Sequence, residues 1–252
     1  MVDPRPIDAD ADDRSQSSSA DRPTESGGRT TITLIRHGES MVTVERIIGG
    51  KRTCRGLTPL GRRQAEQLRD RLDREGAEVD ALITTDFPRA LETAEIVRPA
   101  LVGVDASPEI EQWPDLGEHD PGPEIDGMTF DAYVERYGTP DWAGDRDIDI
   151  FPGGETLRRF HERVERGLAA LCSEFAGRHV AVVCHGGVVD AVFRILLGVP
   201  MAGGFELRTL NTAITSFSGP SSTATSSAPG SWRLDRYNDA AHLVGLPAAT
   251  VR

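Results

Sequence analysis

The strongest constraint on the fold is the segment HVAVVCH at residues 179–185, which is apolar almost throughout. A strand without alternating apolar and polar residues is normally covered on both faces, as in a parallel sheet between two layers of helices. Two further aliphatic and β-branched runs, TITLI at 31–35 and VDALITT at 79–85, also predict buried strands. The chain is therefore expected to form a layered fold around a largely buried sheet.

Amphipathic helices are predicted between these strands. Thr58 suits the N-cap of the first helix, Pro59 its first position and Gly76 the residue that ends it. The remaining predicted elements are helices at 88–101, 155–177 and 187–198 and strands at 214–218 and 231–237. Alternating strands and helices indicate the α/β fold class, in the form of a three-layer sandwich whose mainly parallel central sheet is flanked by helices.

One domain is predicted over residues 30–245. Residues 1–29 form an acidic tail rich in Ser and Asp, with few large apolar residues, and are expected to be disordered. Residues 218–230 have the low complexity of a surface loop, and residues 246–252 are expected to be a loose C-terminus.

Residues 103–154 interrupt the alternation of strands and helices. This stretch is rich in Pro, Gly and Asp and is predicted to be irregular, apart from a short helix around residues 129–138. Four aspartates fall between Asp141 and Asp149. The segment is interpreted as an insertion or a lid over a site, and a solvated acidic surface loop is the alternative.

Composition narrows the partners of the chain. The net charge is −12, and no basic stripe typical of nucleic-acid binding is visible. No apolar run reaches the roughly 18 residues needed to span a membrane, and the N-terminus lacks a signal-peptide pattern. We therefore expect a cytoplasmic protein that binds neither nucleic acid nor membrane. The sequence leaves the oligomeric state open, and a homodimer is one of the alternatives. The three widely spaced cysteines predict neither a zinc site nor a disulfide framework.

Chemically active side chains follow three of the predicted parallel strands. Arg36 and His37 end the first strand, Arg89 begins the helix after the second, and His185 and Gly186 follow the third. Ligands of open α/β sheets bind beyond the carboxyl ends of the strands, so these residues are expected to converge. Gly38, directly after the histidine, would let the backbone turn tightly beneath an anion.

Two arginines around a histidine predict attack on a phosphoryl group. Arginine forks match phosphate oxygens, and a neutral imidazole is a nucleophile. The arginines would stabilise the charge of the transition state, and an acid must protonate the leaving oxygen. Glu118 is the candidate acid, with Glu111 and Glu124 as alternatives. Ser40 and Gly186 are further candidate contacts to the substrate.

Six motifs, in this order, resemble the histidine phosphatase superfamily, which includes cofactor-dependent phosphoglycerate mutases and many phosphatases: LIRHGES, GLTPLGRRQAE, LITTDFPRALETAEIV, LGEHDPGPEIDGMT, FPGGETL and VVCHGGVV. The resemblance implies a phosphoglycerate mutase-like fold, with no metal and no cofactor. It implies that His37 is the nucleophile that becomes phosphohistidine and that Arg36, Arg89 and His185 hold the phosphoryl oxygens. Glu118 would be the proton donor and then the base that activates water.

Departures from the mutase pattern favour hydrolysis. The mutases carry Asn six residues after the nucleophile and Asn after the second His-Gly, where this chain has Thr43 and Gly187. They also carry two adjacent basic residues after the acid, whereas residues 119–154 contain only the separated Arg136 and Arg146. The resemblance therefore implies a phosphatase that hydrolyses a small phosphorylated metabolite. A phosphoglycerate mutase and a non-catalytic module that binds phosphorylated ligands are the alternatives.

Overall fold

The computed structural model describes residues 28–101, 108–221 and 231–247. The predicted disordered tail therefore lies outside the described residues except for its last two positions. Most of the predicted loop at 218–230 and of the predicted loose C-terminus at 246–252 also lies outside them. None of the helices in the described part of the chain is long and apolar enough to cross a membrane.

One six-stranded sheet forms the centre of the molecule, in the order β3-β2-β4-β1-β5-β6. Strands β3, β2, β4 and β1 are parallel, whereas β5 runs antiparallel to β1 and β6 antiparallel to β5. The predicted mainly parallel sheet is thus confirmed. The strands are β1 Thr30–Arg36, β2 Ala81–Thr84, β3 Ile110–Gln112, β4 His179–Cys184, β5 Ile214–Gly219 and β6 Arg233–Asp239.

The helices follow the local signals of the sequence. Thr58 caps the second helix by accepting a hydrogen bond from the Gly61 N–H (2.9 Å), and Gly76 ends that helix in the left-handed conformation at φ 61°. The short helix predicted around residues 129–138 is also present. The described residues form six α-helices: α1 Met41–Val44, α2 Pro59–Glu75, α3 Pro88–Val97, α4 Phe130–Tyr137, α5 Leu157–Glu174 and α6 Gly186–Leu197.

Helices cover both faces of the sheet, as the apolar character of β4 predicts. Val180 and Val182 lie in a core that includes residues of α5 and α6, while Ala181 and Val183 lie in a core that includes residues of α2 and α3. Successive side chains of a strand point to opposite faces, so β4 contributes to both cores. Burying a valine side chain contributes roughly 1.5–3 kcal/mol. The three cysteines are free thiols buried in these cores.

Strand β3 corrects the prediction that residues 103–154 lack strands. It pairs with β2 in parallel, with Leu82 opposite Ile110, and the N–H of Trp113 continues the pairing to the carbonyl of Thr84 (2.8 Å). The strand has three residues, and only Ile110 is half-buried. The sequence of this strand therefore has no hydrophobic pattern from which it could be predicted. Because β3 is parallel to β2, the chain leaves it at the same sheet edge as the predicted site.

Gly38 has a structural role that the sequence did not reveal. Its φ is not in the left-handed region, and a Cβ atom at this position would lie 2.5 Å from the carbonyl oxygen of Gly61 in α2. A Cβ at Gly61 would in turn lie 2.0 Å from the carbonyl oxygen of Glu39. The start of α2 therefore crosses the loop after β1 at a distance that only a pair of glycines allows, which fixes the backbone beside His37.

We predict that Gly61→Ala destabilises the protein. Glycine to alanine within a helix ordinarily stabilises by up to about 1 kcal/mol. Here the new methyl group would press on the backbone at Glu39, so the free energy of unfolding in urea should fall by roughly 1–3 kcal/mol. Arg63→Ala, at an exposed position of the same helical turn, is the control and should change it by less than about 0.5 kcal/mol. A Gly61→Ala protein as stable as the wild type would contradict the close crossing.

Candidate active site

The carboxyl edge of the parallel strands brings together the residues predicted to converge there. His37 follows β1, His185 follows β4, and Arg89 lies in the first turn of α3 after β2. The centroids of the two imidazole rings are 5.2 Å apart, and Arg89 Nε lies 3.1 Å from His37 Nε2. All three side chains are buried. The predicted cluster of imidazoles and a guanidinium is therefore present.

Two hydrogen bonds define the tautomer of His37. Nδ1 lies 2.7 Å from the carbonyl oxygen of Gly38, which can only accept, so Nδ1 carries the proton. On the other side of the ring, the Nε–H of Arg89 can only donate, so Nε2 accepts. Both contacts require the same tautomer, in which Nε2 has a lone pair. This nitrogen is the one able to attack an electrophile.

The surroundings of His37 keep its imidazole neutral. Burial lowers the pKa of His37 well below its usual value, the positive charges of Arg89 and Arg36 lower it further, and the hydrogen bond to Gly38 opposes them. The lone pair on Nε2 therefore stays available where an ordinary histidine, with a pKa of about 6.5, would be half protonated.

His185 is held by the residues that follow β2. Its Nε2 lies 2.9 Å from Thr85 Oγ1, and the ring of Phe87 meets its imidazole edge-on at 4.7 Å between centroids. Nδ1 is buried and has no hydrogen-bond partner within the described residues. Burial lowers the pKa of His185 well below its usual value, with smaller contributions from Arg89, His37 and Arg36. The site thus offers a second neutral imidazole with one ring nitrogen available to a ligand.

The contacts of Arg89 are all to neutral groups within the described part of the chain. Besides His37, its guanidinium donates to the carbonyl of Gly49 (3.3 Å) and lies over the ring of Phe87, 4.6 Å from its centroid. A buried cation without a carboxylate partner is costly unless an anion compensates it. Arg89 is therefore placed as expected for binding a phosphate.

Arg36 lies at the end of β1 and is held by the segment before β5, to which the sequence analysis assigns no role. Its Nη1 donates to the carbonyl of Thr209, and a Cβ at Gly186 would lie 3.6 Å from its Nε. From the same segment, the side-chain amide of Asn211 donates to the carbonyl of His37 (2.9 Å). The chain before β5 thus fixes both members of the Arg-His pair. Nothing in its local pattern indicates this, because the acceptors are backbone carbonyls distant in sequence.

Glu118 reaches the beginning of α6. Its Oε2 accepts a hydrogen bond from the Gly187 N–H (3.2 Å), two residues after His185, and its Oε1 accepts from the N–H of His119 (3.0 Å). The rival carboxylates are exposed: Glu111 bonds the indole of Trp113, and Glu124 lies on the surface. Placement therefore favours Glu118 as the acid, whose catalytic role remains a prediction.

Ser40 and Gly186, the other two predicted ligand contacts, differ in placement. Gly186 begins α6 beside Arg36, so the anion-attracting N-terminus of this helix faces the cluster. Ser40 is fully buried, and its hydroxyl is hydrogen-bonded to Thr43 Oγ1 (2.9 Å). That hydroxyl already has a protein partner, and its contact to phosphate stays a prediction.

The acidic part of the predicted lid faces solvent. Residues 141–149 are exposed, and Asp147 forms an ion pair with Arg158. The ring of Trp142, also partly exposed, lies 5.2 Å from that of His119, next to Glu118. The acidic residues thus match the alternative of a solvated loop, while the tryptophan connects this loop to the segment that carries Glu118.

A model of a known family covers most of the chain. The model of the histidine phosphatase superfamily (branch 1) matches residues 32–239, which include the whole cluster. The chain belongs to the histidine phosphatase superfamily. The match, together with relatives named as phosphatases, identifies it as an enzyme of the phosphatase class.

The relatives include both hydrolases and mutases by name. A "Metal-independent phosphoserine phosphatase" of Arabidopsis thaliana is 26% identical over 85% of this chain and 83% of its own length. A "Probable phosphoglycerate mutase GpmB" of Salmonella typhi is 29% identical over 84% of this chain and 94% of its own. The crystal structure of an α-ribazole phosphatase from Shigella flexneri is 25% identical, with a TM-score of 0.63 over 74% of this chain and 89% of its own.

We predict that His37 and His185 remain neutral at pH 6.5. Their lowered pKa values favour the uncharged form on the acid side of neutrality, where a solvent-exposed histidine titrates. Nitrogen-15 NMR of histidine-labelled protein, with signals assigned by comparison with His37→Ala and His185→Ala, should show neutral rings for both. For His37 the protonated nitrogen should be Nδ1. A titration midpoint near 6.5 for either ring would contradict the effect of burial beside two arginines.

Proposed function

We propose that this protein hydrolyses a small phosphate monoester through a phosphohistidine on His37 Nε2, without a metal ion. The observation that carries the proposal is the orientation of His37, with Nδ1–H fixed on the Gly38 carbonyl and Nε2 directed at Arg89. A phosphate offers the Arg89 fork charged acceptors, which bind it more strongly than a neutral imidazole nitrogen does. Substrate binding would therefore draw Arg89 onto phosphate oxygens and release the lone pair of Nε2.

The first step forms the phosphohistidine. Nε2 of His37 attacks phosphorus as the bond from phosphorus to the ester oxygen breaks, and Glu118 gives its proton to the leaving alcohol. Arg36 and Arg89 hold the non-bridging oxygens and stabilise their charge in the transition state. His185 adds a donor: when the Thr85 hydroxyl donates to Nε2, the imidazole proton lies on the otherwise unpartnered Nδ1.

The second step releases inorganic phosphate. Glu118, now a carboxylate, removes a proton from water, the water oxygen attacks phosphorus, and the bond to Nε2 breaks. The lone pair returns to His37, and Glu118 is again protonated for the next cycle. In both steps, Arg36 and Arg89 supply the positive charge that stabilises the phosphoryl oxygens. Within the described residues no group of three or more His, Cys, Asp or Glu side chains is arranged to hold a metal ion.

The contacts of Gly187 support hydrolysis over phosphoglycerate mutation. A Cβ atom at this position would lie 2.3 Å from Glu118 Oε1, so the Asn of the mutase pattern would require the end of the Glu118 side chain to move. At the other departure, the hydroxyl of Thr43 is engaged by Ser40. The substrate proposed is one small phosphorylated metabolite whose identity requires a screen of phosphate esters.

Replacement of the nucleophile tests the proposal. His37→Ala should lower kcat for 4-nitrophenyl phosphate at least about a thousand-fold, because the variant lacks the nitrogen that forms the covalent intermediate. His179→Gln is the matched control, since His179 begins β4 at the opposite end of the strand from the site. Its kcat should stay within about two-fold of the wild type, and excess EDTA should leave wild-type turnover unchanged.

Three outcomes would contradict the proposal. Loss of activity on adding EDTA would indicate a metal-dependent reaction, and equal losses in the two histidine variants would indicate a structural effect. The third uses 3-phosphoglycerate with a trace of 2,3-bisphosphoglycerate. If the protein isomerises this substrate faster than it releases phosphate, the mutase alternative is correct.

A further inference from the structure

The guanidinium of Arg163, on α5, binds the backbone that carries Glu118. Nη1 donates to the carbonyls of Asp115 and Gly117, both at 3.0 Å, and Nη2 donates to the carbonyl of Glu118 itself at 3.2 Å. The Nε–Nη2 edge of the guanidinium forms a bidentate ion pair with the Glu155 carboxylate, at 2.9 Å from Nε and 2.7 Å from Nη2. Both side chains are largely buried. One side chain thus binds three backbone carbonyls within residues 115–118.

This segment has few other means of holding its shape. After β3 the chain forms a short 3-10 turn at Pro114–Leu116 and then runs without helix or strand through Glu118. Carbonyl groups in such a segment need donors that secondary structure does not supply. The planar fork of arginine can serve several acceptors in fixed directions, which a lysine ammonium cannot. Arg163 therefore replaces the missing backbone pairing.

The fork is itself fixed by its surroundings. Its guanidinium carbon lies 5.3 Å from the centroid of the Phe160 ring, one turn earlier on α5. Leu116, in the 3-10 turn whose backbone Arg163 binds, is buried. A Cβ at Gly167 of α5 would lie 3.0 Å from the Leu116 side chain. The segment that Arg163 binds, residues 115–118, is thus packed directly on α5. A displacement of the fork would be transmitted to the backbone of Glu118.

We propose that Arg163 is a positioning residue for the proton donor Glu118 and so controls how well the enzyme expels poor leaving groups. The inference rests on the proposed function. Proton transfer requires the donor within about 2.6–3.2 Å of the accepting oxygen, and a shift of about 1 Å can cost on the order of 100-fold in rate. Glu118 is anchored at its carboxylate by the Gly187 N–H and at its backbone by Arg163. Without the hydrogen bond from Arg163, the Glu118 carboxylate would no longer be held in the right direction for proton transfer to the leaving oxygen.

The test compares leaving groups in Arg163→Lys, which keeps the charge and removes the fork. Rapid quenching should be used to measure the rate at which His37 becomes phosphorylated, since this step alone needs the acid. With an alkyl phosphate that the wild type hydrolyses, the rate should fall about 100-fold. With 4-nitrophenyl phosphate, whose leaving group needs little protonation, it should fall less than about three-fold.

Arg158→Lys is the matched control on the same helix. Arg158 is exposed and pairs with Asp147, so neither phosphorylation rate should change. Should Arg163→Lys fail to fold, as judged by its melting temperature, Glu155→Gln serves as the second variant. This variant keeps the size of the side chain at position 155 and removes the negative charge that orients the Arg163 guanidinium. It should show the same preference for the aryl substrate to a smaller extent.

Two results with an active wild type would overturn the inference. Equal losses with both leaving groups would show a general structural role, and an unchanged rate with the alkyl phosphate would show that Arg163 does not position the acid. Failure of the proposed function looks different. In that case the wild type itself forms no phosphohistidine from either substrate, and the inference falls with it.

Discussion

The hydrogen bond from His37 Nδ1 to the carbonyl oxygen of Gly38 is the interaction on which the proposed chemistry depends. The ring of His37 is buried, and this bond, together with the one from Arg89 Nε–H to Nε2, decides which ring nitrogen can attack. That carbonyl is held in turn, because the N–H of Gly38 donates to Thr93 Oγ1 (3.0 Å) and its α-carbon lies against Gly61. The nucleophile is therefore prepared by backbone geometry, before any substrate arrives.

The topology explains how distant parts of the chain serve this one ring. Parallel strands deliver Arg36, His37 and His185 to the same edge, and the helix after β2 adds Arg89. The parallel strand β3 sends the Glu118 segment to that edge as well, where the fork of Arg163 fixes its backbone. The resulting site combines neutral imidazoles with a buried guanidinium whose described partners are neutral. Such a site favours an anion that carries its own charge into the pocket.

Much of this could be predicted from the sequence, because its signals are local. An apolar strand ending in Cys-His and another ending in Arg-His predict a sheet edge, and Thr58 and Gly76 predict helix ends through their own conformations. The rest depends on contacts between distant backbones. Strand β3 is too short and too exposed for a hydrophobic pattern, and the bonds of Arg163 to carbonyls have no sequence signature. The need for glycine at position 38 arises from a helix that crosses it.

The most direct test of the account is the identity of the nitrogen that becomes phosphorylated. Protein labelled with nitrogen-15 at histidine Nε2 can be mixed with substrate, quenched in alkali and studied by phosphorus-31 NMR. If Nε2 of His37 attacks, the phosphorus signal will be split by one-bond coupling to the labelled Nε2, and this signal will be absent from His37→Ala. A phosphohistidine signal without that splitting would place phosphorus on Nδ1, and this would contradict the tautomer that the Gly38 carbonyl imposes on His37.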